Sequence, residues 1–143
     1  MANAEALQVS VEAAPPVEDV RAVRQGLDQF NLQHAGEDGY RPLYAFVRDA
    51  SGAIHGGLLG ETYWGWLHVS ILWLEADARG RGYGSQLLAA AEAEARHRGC
   101  RHAHLDTLSF QALPFYEARG YTLFGTLDDL PPGHQRFFLQ KAL

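Results

Sequence analysis

Cysteine is nearly missing from this sequence: Cys100 is the single one in 143 residues. That excludes an internal disulfide framework and a cysteine-rich zinc module, and it suits a reducing cytoplasm. Long apolar runs are missing too. The most apolar stretch, Trp64 to Leu74, covers about 11 residues where a bilayer span needs about 20. The N-terminal MANAEALQVSVE has no basic region followed by an apolar one, so it does not read as a secretory signal, and a cytoplasmic location is expected. Basic residues are in deficit overall, with a net charge of −5. This argues against a general nucleic-acid binder and fits either a cationic small substrate or simple solubility. No repeat, linker or low-complexity tract is present.

The length is close to the roughly 150 residues of an ordinary domain. With 47% hydrophobic and 20% charged residues, one sizeable core is expected. Residues 1–143 therefore read as a single domain. The charge is uneven. Residues 1–20 carry Glu5, Glu12, Glu18 and Asp19 and no basic residue, whereas residues 79–101 carry Arg79, Arg81, Arg96, Arg98 and Arg101 against Glu92 and Glu94.

Leu7, Val9 and Val11 alternate with polar residues, which predicts a first strand ended by Pro15 and Pro16. A helix follows from Val17, with Glu18 and Asp19 where the helix dipole favours acids and Val20, Val23, Leu27 and Phe30 or Asn31 on its inner face. Gln33 to Pro42 reads as a loop, with a short second helix as an open alternative. Leu43–Arg48 and Ala53–Thr62 form a predicted hairpin around Asp49-Ala50-Ser51-Gly52. The glycines of the second strand weaken it. Trp66–Glu75 is the strongest strand, nearly continuously apolar as a central strand should be. A helix over Tyr83–Arg98 places Leu87, Leu88, Ala91 and Ala95 on one arc and stops at Gly99. Strand 102–107, helix 112–119 and strands 121–127 and 135–139 complete the chain. The order is that of one mixed α/β domain.

Arg79-Gly80-Arg81-Gly82-Tyr83-Gly84-Ser85 joins the central strand to the long helix. A glycine turn at a helix start exposes backbone N–H groups that have no partner within the helix. Together with the helix dipole they form an anion site suited to phosphate. Glycine allows the sharp turn and close approach, and arginines add full charge and paired donors. Two common phosphate loops do not fit. The lysine of a P-loop is absent, and the Gly-x-Gly-x-x-Gly fingerprint fails at Ser85 when counted from Gly80 and at Leu87 when counted from Gly82.

Arg79-x-x-Gly82-x-Gly84 resembles the Gln/Arg-x-x-Gly-x-Gly/Ala signature of the GNAT superfamily of N-acetyltransferases. A second block, Ala112-Leu-Pro-Phe-Tyr116-Glu-Ala-Arg-Gly120-Tyr121, resembles that superfamily's Ala-x-x-Phe-Tyr-x-x-x-Gly-Phe segment. The two stand in the family's order, and the similarity covers roughly Trp66 to Leu127. It implies a central mixed, mostly antiparallel twisted sheet flanked by helices. It also implies acetyl-CoA as co-substrate, with its pyrophosphate on Arg79, Gly80, Arg81, Gly82, Tyr83, Gly84 and Ser85. Its pantetheine arm would lie along the main chain of Leu72, Trp73 and Leu74. An asparagine common in the family is here Ser109, whose hydroxyl can supply part of the same hydrogen bonding. Family members are often dimers, so a homodimer is within expectation. No metal and no membrane are implied.

Acetyl transfer to an amine needs proton removal from the acceptor, stabilisation of the thioester oxygen and a proton for the leaving thiolate. By its match to the family tyrosine, Tyr116 is the candidate acid. A phenol with a reference pKa of about 10 is protonated at neutral pH. His68, eleven residues before Arg79, stands where several family members carry a base or a water-positioning residue, and imidazole suits that task. Ser70 shares its strand face and could order a water. Glu61 is a rival base, and Glu75 reads as structural. His102 and His104, at i and i+2, read as solvated or core histidines without a third ligand in a usual spacing. The expected activity is acetyl transfer to a primary amine of a small molecule or peptide. A non-catalytic acyl-CoA-binding module is the alternative.

Overall fold

A computed structural model describes residues 4–143. They fall into two units, the first ending at Glu37 and the second spanning Asp38–Leu143.

The first unit holds one helix, α1 (Val17–Ala35). It starts after Pro16 with Glu18 and Asp19 in its first turn, and it ends at Gly36, whose N–H bonds the Leu32 carbonyl. The helix extends three residues into the segment expected to be a loop, to Ala35; residues 36–40 are irregular as expected, and no second helix forms there. The expected inner face is not buried: Val23, Leu27 and Phe30 are all more than half exposed. The strand expected at Leu7–Val11 does not form either, and those side chains are fully exposed. Alternation supplies an apolar edge, but a strand exists only where a neighbour bonds to it.

The second unit is a six-stranded sheet with two helices. Its strands are β1 (Arg41–Arg48), β2 (Ile54–Tyr63), β3 (Trp66–Leu74), β4 (His102–Leu108), β5 (Thr122–Asp128) and β6 (Gln135–Ala142). The helices are α2 (Tyr83–His97) and α3 (Leu113–Glu117), and a 3₁₀ turn covers Ala76–Ala78. The strand order is β1-β2-β3-β4-β6-β5. Only β3–β4 is parallel; the other pairs are antiparallel. This is the mixed, mostly antiparallel architecture expected.

One sheet face carries the core. Leu58, Leu67, Leu88, Leu105 and Leu139 are fully buried. Leu87, Leu88, Ala91 and Ala95 of α2 join them, along the arc that the sequence predicts. Truncating one such leucine to alanine costs about 2–5 kcal/mol. Glu92 lies on the same helix face and is buried. Lys141 Nζ donates to both its oxygens at 2.9 and 3.1 Å, and the Tyr121 hydroxyl donates at 2.8 Å. The carboxylate is therefore fully paired, as a buried charge must be.

The glycines of β2 do not break it. A β-carbon on Gly60 would collide with the main-chain carbonyl of His68. Glycine is what lets β3 approach there. The register shifts at this point, from Leu59 opposite Ile71 to Gly60 opposite Val69, leaving Ser70 as the extra residue of a bulge.

Candidate active site

The parallel pairing of β3 with β4 runs only from Trp66–His102 to Val69–Leu105. Beyond it the two strands part. From Ile71 to Leu74, β3 stays bonded to β2, while its other edge has no strand partner among the described residues. Between the parted strands lies a cavity of about 590 Å³. Ser70–Leu74 of β3, Asp106 and Thr107 of β4, Arg79, Gly84, Phe115 and Tyr116 all line it. The free β3 edge supplies main-chain donors and acceptors along this cavity, which suits an amide-bearing pantetheine arm.

The glycine-arginine turn closes one end. Gly82, with φ 85°, is the left-handed residue before α2, a conformation that L side chains rarely adopt. The first bond of the helix runs from Gln86 N–H to the Gly82 carbonyl at 3.1 Å. The N–H groups of Tyr83, Gly84 and Ser85 therefore have no partner within the helix. Gly84 packs under Phe115, whose ring would meet an added β-carbon at 3.4 Å. Arg79 Nε donates to the Leu74 carbonyl at 3.0 Å, which anchors the guanidinium at the cavity wall.

Not every residue expected at the cofactor points there. Arg81 lies over the Tyr83 ring, 5.2 Å from its centroid, and both border a smaller cavity with His55 and Glu75. Ser85 Oγ accepts from Arg119 Nε at 3.1 Å, and Arg119 stacks on Phe115 at 3.8 Å. Ser85 thus joins α2 to α3. Ser109 pairs with Gln135: its N–H donates to the Gln135 carbonyl at 2.8 Å, and its hydroxyl accepts from the Gln135 N–H at 3.1 Å. It joins β4 to β6 and is not part of the cavity lining.

Tyr116 is buried, and its ring meets Phe115 and Tyr121 edge-on. Burial, and secondly the Asp106 carboxylate, push its phenol up to about 12. Its hydroxyl has no hydrogen-bond partner among the described residues. It is a protonated donor on a cavity wall.

His68 is not part of that lining. Ser70 connects it to the cavity: the Ser70 hydroxyl lies 3.5 Å from His68 Nδ1 and donates to Glu61 Oε2 at 3.3 Å. His68 Nδ1 lies 2.9 Å from Glu61 Oε1. Glu61 is therefore the partner of His68, where the sequence presented it as a rival. A carboxylate only accepts, so Nδ1 is the donor in this contact.

Asp106 and Tyr63 are not singled out by the sequence, and His104 reads there only as a solvated or core histidine. Asp106 lines the cavity and is ion-paired to Arg136 at 2.6 Å. His104 stacks on His68, and Tyr63 touches His104. The available signal was parity: His104 and Asp106 alternate with the buried Ala103, Leu105 and Thr107, which puts them on the face of His68.

The free β3 edge beside the glycine-arginine helix start fits the cofactor placement that the sequence resemblance implies, that of an acyl-CoA-dependent transferase. The sequence matches the Acetyltransferase (GNAT) family over residues 9–121. An acetyltransferase of Agrobacterium fabrum is 40% identical over 121 residues, 85% of this chain and 88% of that protein. The blasticidin-S acetyltransferase of Streptomyces morookaense is 45% identical over 107 residues, 72% of this chain and 79% of that one. A crystal structure described as that of an acetyltransferase from Agrobacterium tumefaciens superposes with a TM-score of 0.89 at 36% identity, covering 96% of this chain and all of the other. The chain belongs to the GNAT family: it is an acyltransferase, and acetyl-CoA is its acyl donor.

Proposed function

We propose that this protein moves an acetyl group from acetyl-CoA directly to the primary amine of a cationic small molecule, with residues 1–143 serving one catalytic domain. The observation that carries this reading is the arrangement around Ser70. The hydroxyl of Ser70 touches the Glu61–His68 pair, while the same residue lines the cavity of Arg79, Gly84 and Tyr116. In this reading Tyr116 is the acid on the cavity wall and His68 the base that Ser70 links to it.

In this reading the pyrophosphate rests on Arg79 and the free N–H groups at the start of α2, and the pantetheine arm follows Leu72–Leu74. His68 Nε2 takes a proton from the acceptor ammonium. The freed amine attacks the thioester carbon, and main-chain N–H groups of the free β3 edge receive the developing oxyanion. The C–S bond then breaks, and Tyr116 gives its proton to the thiolate sulfur. The second proton of the nitrogen reprotonates the tyrosinate, so one proton is released per turnover.

Two features favour a small cationic acceptor. Glu61 and Asp106 place carboxylates on the face of the sheet that carries His68, and the relative at 45% identity is named for acetylation of blasticidin S. The test is thiol release from acetyl-CoA against a panel holding blasticidin S, a polyamine and a peptide with a free N-terminus. Turnover of a small cation and none of the peptide is expected. Preference for the peptide would overturn the acceptor class.

A further inference from the structure

His104 is neither a solvated histidine nor a plain core one. It is the register partner of His68 across the parallel pair, and the two rings stack with centroids 4.5 Å apart and planes 21° from parallel. Trp66 meets the His104 ring edge-on at 5.6 Å. The Tyr63 hydroxyl lies 3.1 Å from His104 Nε2, and its ring stands edge-on at 6.3 Å. His104 is therefore fixed by one hydrogen bond and two rings before it touches His68.

The consequence falls on His68. The hydrogen bond to Glu61 holds one point of that imidazole but leaves its plane free to turn about the bond. The terminal torsion of a histidine is broad, with no steep well of its own. A flat neighbour against the ring face removes that freedom. A proton acceptor must lie within hydrogen-bond reach and in line with the proton it takes.

We infer that His104 is a positioning residue for His68, its ring setting the plane in which His68 presents Nε2 to the acceptor amine. This rests on the reading of His68 as the base. The titratable groups facing the stacked pair are Glu61 and Tyr63 from β2 and Asp106 from β4. Trp66 of β3 and Gln140, the β6 register partner of His104, are uncharged. Burial, and secondly His68, lower the pKa of His104, while Glu61 and Asp106 act in the opposite sense.

The test uses the full chain with acetyl-CoA and two apolar variants. His104→Leu removes the flat ring, and His104→Phe restores it without nitrogen. By nitrogen-15 NMR of the histidine rings, wild type should show His68 as one tautomer, protonated at Nδ1. His104→Leu should keep that tautomer but show increased motion of the His68 ring in the relaxation of its ring carbon–hydrogen pairs, and His104→Phe should suppress that motion. Turnover of the best amine of the panel should fall about tenfold in His104→Leu, as for a misaligned reacting group, with the acetyl-CoA KM unchanged, and His104→Phe should regain most of it. In a His68→Ala background, His104→Leu should cause no further loss. Wild-type motion of the His68 ring and wild-type kcat in His104→Leu would overturn the proposal. If His68→Ala itself keeps full kcat, the base assignment fails instead. If His68→Ala collapses while His104→Leu does not, only the positioning role fails.

Discussion

His68 and Glu61 face each other as register partners across the antiparallel β2–β3 pair, with Nδ1 of one 2.9 Å from Oε1 of the other. In the proposed mechanism the carboxylate sets the imidazole tautomer and stabilises the imidazolium that would form when Nε2 takes a proton. Glu61→Gln keeps the shape and removes the charge. It should lower kcat by about 10²-fold or more and leave the KM for acetyl-CoA unchanged. Steady-state kinetics with both substrates varied separates the two parameters.

Tyr116→Phe should lower kcat by about 10²–10⁴-fold, the range for one lost acid. Acetyl-CoA affinity, measured by calorimetry, should stay near wild type, because the ring keeps its packing. Burial and Asp106 raise the phenol pKa to about 12. The acid form therefore persists across ordinary assay pH, and the alkaline limb of the wild-type rate profile should not be set by Tyr116 below that value.

A second histidine bridges two acids away from the chemistry. His55 contacts Glu75 through Nδ1 and Asp49 through Nε2, the latter at 2.7 Å. Asp49 first, and then Glu75, raise the His55 pKa above its ordinary value of 6.5. The folded state thus binds this proton more tightly than the unfolded chain. The bridge contributes its full stability below about pH 6.5 and loses it as pH rises through the raised value. Melting temperatures of wild type and His55→Gln should differ most at mildly acidic pH and converge on the alkaline side. A gap that widens with rising pH would contradict this sign.

Lys141→Ala strands a buried carboxylate. Glu92 would keep the Tyr121 hydroxyl but lose its cation, and removing one partner of a buried pair costs about 3–5 kcal/mol. Denaturant unfolding should report a loss in that range. Glu92→Gln combined with Lys141→Met should recover part of it, because no unpaired charge remains.

The Asp38–Leu143 unit was largely legible in the sequence. The apolar run from Trp66 reads as the central strand it is, and the arc of Leu87, Leu88, Ala91 and Ala95 is the buried face of α2. The N-terminal segment was not. Leu7, Val9 and Val11 alternate as a strand would, but pairing depends on a neighbour that local pattern does not encode. The arginine-rich stretch also divides in the structure. Arg79 lines the cavity, whereas Arg98 is bound to Glu94, to the Arg41 and Pro42 carbonyls and to Thr62, and so fastens α2 to the sheet. Charge density showed where to look but did not separate a ligand contact from a structural clamp. His104 and Asp106 were hidden for a related reason, since their role comes from which strand lies beside β4.

The central claim is an acid and a base working across one acetyl-CoA cavity. Its most direct measurement is thiol release from acetyl-CoA over the amine panel with wild type and Tyr116→Phe side by side, each first shown to bind acetyl-CoA. The account predicts turnover of at least one small cationic amine by wild type and its loss in the variant. Equal turnover by both proteins, or acetyl-CoA binding with no amine ever acetylated, would contradict it.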